Sequence, residues 1–267
     1  MGVLNVTPDS FSDGGLWLDV DDAVAHAREM AAEGAAIVDV GGESTRPGAE
    51  SVPEAEELER VVPVVERVAT DGGPRVSIDT RKAAVAEAAI QAGARIVNDV
   101  SAFRASPEIA GIVAGAGAEC CLMHMLGDDP RTMQHDPRYD DVVAEVKAFL
   151  EERLAFAVRE GVPEEHVWLD PGIGFGKTVE HNLELIRRLD EIVAIGRPLV
   201  IGTSRKTFLG RITGRSEPER AVATSAANVM AYERGARIFR VHDVAANVDA
   251  LQVAAATVGS PWAPKSP

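Results

Sequence analysis

The residues best able to do chemistry fall in short polar clusters, each at the end of a brief apolar run. In order they read Asn5-Val6-Thr7-Pro8-Asp9, Asp39-Val40-Gly41-Gly42-Glu43-Ser44-Thr45-Arg46-Pro47-Gly48, Ser77-Ile78-Asp79-Thr80, Asn98-Asp99-Val100-Ser101 and Met123-His124, followed by Asp170-Pro171-Gly172-Ile173-Gly174-Phe175-Gly176-Lys177, Gly202-Thr203-Ser204-Arg205-Lys206 and Arg240-Val241-His242-Asp243. Any single Asp or Asn among them reads equally well as a turn former or helix cap. Recurrence after nearly every run points instead to a shared site.

Two chemistries are present in that set. Arg46, Lys177, Arg205, Lys206, Arg240 and His242 are cationic or can become so, and they stand out in an acidic chain. Planar guanidinium forks suit phosphate oxygens, and Lys and His add to them. An anion such as a phosphate or diphosphate is therefore expected. Asn5 with nearby oxygens offers the hard, weak kind of site at which Mg²⁺ binds through few protein ligands plus phosphate oxygens. Asp79, Asn98 and Asp170 supply the second chemistry, since a buried carboxylate can accept a pair of hydrogen bonds from an amino-pyrimidine edge. Two look-alike motifs are set aside. Pro171–Thr178 ends like a phosphate-binding loop but has proline where its first glycine must stand. Gly172, Gly174 and Gly176 are spaced two and two, not two and three as a dinucleotide fingerprint requires.

The elements that must position these clusters alternate along the whole chain. Strands are predicted at Val3–Val6, Ala36–Val40, Val76–Ile78, Ile96–Val100, Glu119–His124, Val167–Leu169, Leu199–Gly202 and Ile238–Val241. Ala-rich helical patterns lie between them, near Val20–Glu33, Pro53–Ala69, Lys82–Ala92, Pro107–Ala116, Asp140–Glu160, Val179–Ala194 and Glu217–Arg234, with a last one from Val244. Gly34, Gly93, Gly161 and Gly235 each follow an amphipathic run as C-terminal stop signals. Ser216-Glu217-Pro218-Glu219 reads as a capping box with proline in the first turn. Strictly alternating strands and helices imply parallel pairing, and eight near-equal units favour a closed (β/α)8 barrel over an open doubly wound sheet. In such a barrel the clusters converge at the carboxyl ends of the strands. No linker divides the chain, so one domain is expected over residues 1–267, with a tail after about residue 259.

Composition narrows the partners. The chain is 46% hydrophobic and 26% charged with a net charge of −15, and it has no basic run. Nucleic acid and anionic membrane both need clustered Lys and Arg, so neither is expected. No apolar run approaches the roughly 18 residues of a membrane span, and no signal-peptide pattern opens the chain. It opens directly on a core strand, so a few residues are expected upstream. Cys120 and Cys121 are adjacent, without metal-ligand or redox spacing, and read as two buried thiols of a cytoplasmic protein.

The clusters taken together, from Asn5-Val6-Thr7-Pro8-Asp9-Ser10-Phe11-Ser12-Asp13-Gly14-Gly15 through Glu43–Gly48, Asp170–Lys177 and Ser204-Arg205-Lys206 to Arg240–Asp243, resemble the dihydropteroate synthase family. The resemblance runs from residue 2 to about 250 with every motif in order. It implies a transferase joining 4-aminobenzoate to 6-hydroxymethyl-7,8-dihydropterin diphosphate, with release of diphosphate. By matching position it implies that Asp79, Asn98, Asp170 and Lys206 bind the pterin. It assigns Thr45, Arg46, Arg240 and His242 to the diphosphate, with Mg²⁺ at Asn5. Thr45, Pro47, Phe175 and Ser204 would border the aminobenzoate, and Asp79, Arg240 and His242 would carry catalysis. Thr7–Gly15 and Glu43–Gly48 would be loops closing over the substrates, and a homodimer is implied.

Three rivals remain at this level. A methyltetrahydrofolate-dependent methyltransferase shares the barrel and the pterin-binding acids but has no use for the diphosphate cations. A Schiff-base lyase would use Lys206, which lacks an evident acid–base partner in sequence. A non-catalytic pterin-binding paralogue would not need all the cations.

Overall fold

The computed structural model describes residues 1–7, 20–44, 51–70, 72–129 and 132–258. Eight strands appear among them: β1 Gly2–Asn5, β2 Ile37–Gly41, β3 Arg75–Asp79, β4 Ile96–Asp99, β5 Glu119–Met123, β6 Val167–Asp170, β7 Val200–Ile201 and β8 Ile238–Phe239. Strands β1 to β6 form one parallel sheet in sequence order, and β7 pairs in parallel with β8. Two isolated parallel bridges, Leu169 with Leu199 and Gly2 with Val241, join these pieces at both edges. Backbone bonds from Leu169 N–H to Pro198 O (2.9 Å) and from Val3 N–H to Val241 O (3.0 Å) reinforce them. The ring is thereby closed, as expected for a (β/α)8 barrel.

Helices on the outside complete the units: α1 Val20–Ala32, α2 Glu54–Thr70, α3 Ala83–Gln91, α4 Glu108–Ala116, α5 Val142–Arg159, α6 Val179–Arg187, α7 Leu189–Val193, α8 Thr207–Thr213, α9 Ala221–Glu233 and α10 Val244–Val258. The stop glycines Gly34, Gly93, Gly161 and Gly235 all have φ near +100°, the conformation only glycine adopts without strain. Three features depart from the sequence reading. The run expected as one helix over Val179–Ala194 breaks at Arg188, whose backbone (φ −108°, ψ 28°) leaves the helical region. The Ser216 box is present, with Glu219 accepting from the Ser216 N–H and hydroxyl, but it opens a 3-10 turn at Glu217–Arg220 before α9. Helix α8, inserted after the Lys206 cluster, carries no long amphipathic signature and is absent from the sequence reading.

Alternation along each strand divides the barrel into two compartments. Outward residues such as Val38, Val40, Val76, Ile78, Val97 and Leu169 pack under the helices in the main core. Inward residues Ile37, Ile96, Cys121, Trp168 and Val200 form a separate apolar plug inside the barrel, with Ile238 against it. The adjacent thiols accordingly sit in different compartments, Cys120 outside and Cys121 inside, both buried and unpaired. No helix among the described residues is long and apolar enough to cross a membrane.

Candidate active site

Two residues beyond the apolar plug the inward positions turn polar, and their side chains meet at the floor of one cleft of about 1760 Å³ at the carboxyl ends of the strands. Asn5, Asp79, Asn98, Asp170, Phe175, Ser204, Lys206, Arg240 and His242 all line it. Among the residues assigned to the site in sequence, Thr45, Arg46 and Pro47 lie outside the described residues, as do most of the two expected closing loops (8–15 and 45–48) and the expected tail after about 259.

The floor is organised around Arg240. Its Nε donates to Asp39 Oδ2 at 2.6 Å and its Nη2 to Asp79 Oδ2 at 2.7 Å. Asn98 Nδ2 donates to the same Asp39 oxygen at 3.0 Å. Burial pushes the Asp79 carboxyl up to about 7, with Arg240 opposing and the carboxylates of Asp39, Glu57 and Asp99 adding to the rise. Burial works to discharge Arg240, but the Asp39 and Asp79 carboxylates outweigh it and hold the guanidinium firmly charged. Arg240 thus belongs to the acid floor as much as to any cationic rim. Asp39, fully buried, stands out in sequence only as part of a strand-end cluster. Its signal is an acid at an inward strand position between Val38 and Val40.

The wall built from β6 and β7 carries two lysines, Lys177 buried and Lys206 partly buried, that behave differently. Lys206 Nζ stands 4.5 Å from the Phe175 ring centroid and donates to the Ile173 carbonyl. Burial lowers it to about 8, against the pull of Asp170. Arg205, ahead of Lys206, takes a left-handed turn (φ 55°) and pairs its guanidinium with Asp243 (Nε–Oδ2 2.9 Å) at the cleft margin. Lys177 is instead walled in: its Nζ lies 2.9 Å from His124 Nδ1 and donates to the Phe175 carbonyl at 3.0 Å. Burial holds Lys177 far below its ordinary value, and burial followed by Lys177 depresses His124 to about 2. Lys177, Arg205, Lys206, Arg240 and His242 all border the cleft, but Lys177 is held by His124 and the Phe175 carbonyl and Arg205 by Asp243.

The glycine run of this wall permits close packing. A Cβ at Gly172 would lie 1.8 Å from the His124 carbonyl oxygen, and its φ of +66° excludes other residues. The tight turn lets Gly172 N–H donate to Asp170 Oδ1 at 2.7 Å, which aims that acid along the floor. Phe175 leans on an apolar ledge of Val100, Met123, Met125 and Met133.

Beyond β8, His242 is oriented by Ser204. The Ser204 hydroxyl accepts from the His242 backbone N–H at 3.0 Å and lies 2.9 Å from its Nδ1. These two contacts fix the ring's orientation beside the cleft. At the end of β2, Gly41 separates Asn5 of β1 from Asp79 of β3: a Cβ there would stand 3.9 Å from Asn5 Oδ1 and 3.8 Å from Asp79 Oδ2. Glycine keeps this cradle open. No cluster of three or more His, Cys, Asp or Glu able to hold a metal occurs among the described residues. A divalent ion at Asn5 would need oxygens from its ligand, as a hard, weakly held ion does.

Comparison with known proteins agrees with this geometry. Residues 1–242 match the family model described as pterin binding enzyme. The chain is 52% identical to the dihydropteroate synthase of Mycobacterium leprae, over 96% of this chain and 92% of that one. Against the Escherichia coli K12 dihydropteroate synthase it is 46% identical, over 97% and 92%. Among solved structures, the Xanthomonas albilineans dihydropteroate synthase with 4-aminobenzoic acid superposes with a TM-score of 0.91 at 47% identity, covering 97% of this chain and 93% of that one. The same enzyme in complex with 7,8-dihydropteroate gives a TM-score of 0.88 at 44% identity with the same coverage. The barrel, the floor and these relatives together establish that the chain belongs to the pterin-binding enzymes, as a member of the dihydropteroate synthase family.

Proposed function

We propose that the acid-and-amide floor binds the pterin ring and that the cations beside it hold the diphosphate in the reaction of this family. That reaction forms 7,8-dihydropteroate from 4-aminobenzoate and 6-hydroxymethyl-7,8-dihydropterin diphosphate: a C–N bond replaces the methylene C–O bond, and diphosphate and a proton leave. The observation that carries the assignment is the convergence of Asp79, Asn98, Asp170, Lys206 and Arg240 on one buried floor.

Asp79, Asn98 and Asp170 take the pterin's ring N–H and amino groups, and Lys206 donates to its acceptor edge while stacking against Phe175. Arg240 and His242, with Thr45 and Arg46, stabilise charge developing on the leaving diphosphate. Asp79 keeps negative charge near the ring as the C–O bond opens. Phe175, Ser204, Thr45 and Pro47 border the aminobenzoate, whose amine attacks the methylene. Water exclusion falls to the loops Thr7–Gly15 and Glu43–Gly48. Asn5 would hold Mg²⁺, which supplies further charge stabilisation of the diphosphate. No nucleophile on the enzyme is required.

The purified protein with Mg²⁺ is expected to form dihydropteroate and release one diphosphate per turnover, followed by chromatography and a phosphate-coupled assay. Absence of both products would sink this reading, and loss of turnover on chelation with recovery on Mg²⁺ addition tests the ion. Failure of borohydride to trap a carbonyl substrate on Lys206 dismisses the lyase. A Yersinia pestis dihydropteroate synthase structure contains a sulfonamide drug complex (TM-score 0.91, 43% identity). Sulfonamides are accordingly expected to raise the apparent KM for 4-aminobenzoate here. We read the protein as a cytoplasmic homodimer. Its two unpaired thiols support the compartment, and exposed Val222 (83%) and Val253 (68%) on the mutually packed α9 and α10 support the dimer. Light scattering of the protein and of Val222→Asp tests the assembly.

A further inference from the structure

Stability gives no reason for an acid at position 39. The residue is fully buried in the barrel interior, with Ile37 two positions below it in the apolar plug. Its Oδ1 has no hydrogen-bond partner, nor has the hydroxyl of Ser77, its neighbour in register on β3. A buried carboxylate with an unsatisfied oxygen costs free energy, and well-packed apolar residues often replace such ions without loss. What Asp39 does have is one oxygen shared between Arg240 Nε and Asn98 Nδ2.

That single contact decides how Arg240 divides itself. A guanidinium offers donors along two edges, and a lone carboxylate beside it tends to take two of them in a bidentate pair. With Asp39 holding Nε, only Nη2 reaches Asp79, through Oδ2 alone. Among the described residues Arg240 is the sole side chain hydrogen-bonded to Asp79, so its second oxygen stays available to the cleft it lines. We infer that Asp39 is a positioning residue for pterin recognition: by anchoring the Nε edge of Arg240 and the Asn98 amide, it keeps Arg240 from closing over Asp79 and leaves that acid open to the ring. This inference rests on the reading of Asp79 as a pterin acceptor.

The test is a double-mutant cycle read by binding, with 6-hydroxymethylpterin as probe so that the diphosphate does not enter, and its dissociation constant followed by fluorescence. Asp39→Asn keeps shape and removes charge. It is expected to weaken binding about tenfold while leaving the KM for 4-aminobenzoate within twofold. In the Arg240→Met background, where no guanidinium can close over Asp79, the same change is expected to cost less than twofold, a coupling of the size found between contacting charges. A purely structural role would carry its loss into both backgrounds, so a tenfold loss persisting in the Arg240→Met protein overturns the inference. A folded Asp39→Asn protein that binds the pterin like wild type overturns it as well. Should Asp39→Asn fail to fold, Asp39→Ser, with room for a water, takes its place in the same cycle. Asp79→Asn separates the two readings. Unchanged affinity there removes the floor assignment and this inference together, whereas a large loss at Asp79 with none at Asp39 removes this inference alone.

Discussion

On β2, Ile37 plugs the barrel interior, whereas Asp39 two residues later holds a guanidinium. The same step separates Ile96 from Asn98 on β4, Trp168 from Asp170 on β6 and Ile238 from Arg240 beyond β8. These paired positions share an inward direction, and all but Ile238 and Arg240 are buried, yet one level is apolar and the other polar or ionic. The lower level gains by excluding water. The upper one accepts the cost of buried charge, visible in an Asp79 pushed up to about 7 and a Lys206 lowered to about 8, both chiefly by burial. The barrel thus concentrates stability in one layer and chemistry in the layer directly above it.

The largest effect that could break this contrast is at Arg240. Arg240→Ala is expected to lower kcat/KM for the pterin diphosphate by about a hundred- to a thousandfold, the range for removing a donor aimed at developing charge. Steady-state kinetics with turnover within tenfold of wild type would show that the upper layer is not the site. Trp168→Ala, in the lower layer, should do the opposite. Loss of so large a buried side chain is expected to cost about 3–5 kcal/mol in denaturant unfolding, with kcat per folded molecule within about threefold of wild type.

Lys206 sharpens the contrast through pH. Its pKa in the fold lies below its ordinary value of 10.5, so the penalty for burying its charge is fully present below about pH 8. That penalty is relieved as pH rises from about 8 toward 10.5, and the Lys206 contribution to stability improves over that window. Activity is expected to run the other way. The cation is the pterin donor, so kcat/KM should fall above about pH 8, and Lys206→Arg should carry that limb to higher pH. A wild-type profile flat to pH 9.5 would remove Lys206 from binding. The smallest effect is expected at Arg205, already held by Asp243 and partly exposed. Arg205→Ala should cost less than about 1 kcal/mol in thermal melts and change the pterin diphosphate KM less than threefold. A larger rise in KM would return this arginine to the rim.

Much of the fold was legible because its signals are local. Apolar runs of strand length, helical periodicity and glycine stops are written within a dozen residues, and each strand-end cluster announced the open end of the barrel. The break at Arg188 and the short α8 escaped, since neither carries a periodic or capping signal strong enough to stand alone. The candidate site was legible as a list: every cleft residue named in sequence and described in the structure lines the same space.

What the list could not contain was the partnering of its charges. Six cations looked equivalent in sequence, yet Lys177 is walled in against His124 and Arg205 is tied to Asp243. Arg240 meets Asp39 across 201 residues of sequence, a contact that exists only because β8 closes against β1. By itself the sequence determined which side chains arrive at the carboxyl ends of the strands, because period-two alternation and strand order are short-range properties. Only the tertiary structure decided which acid holds which cation and which stays open to a ligand. Those outcomes follow from distance and burial across a closed ring, and no spacing along the chain encodes either.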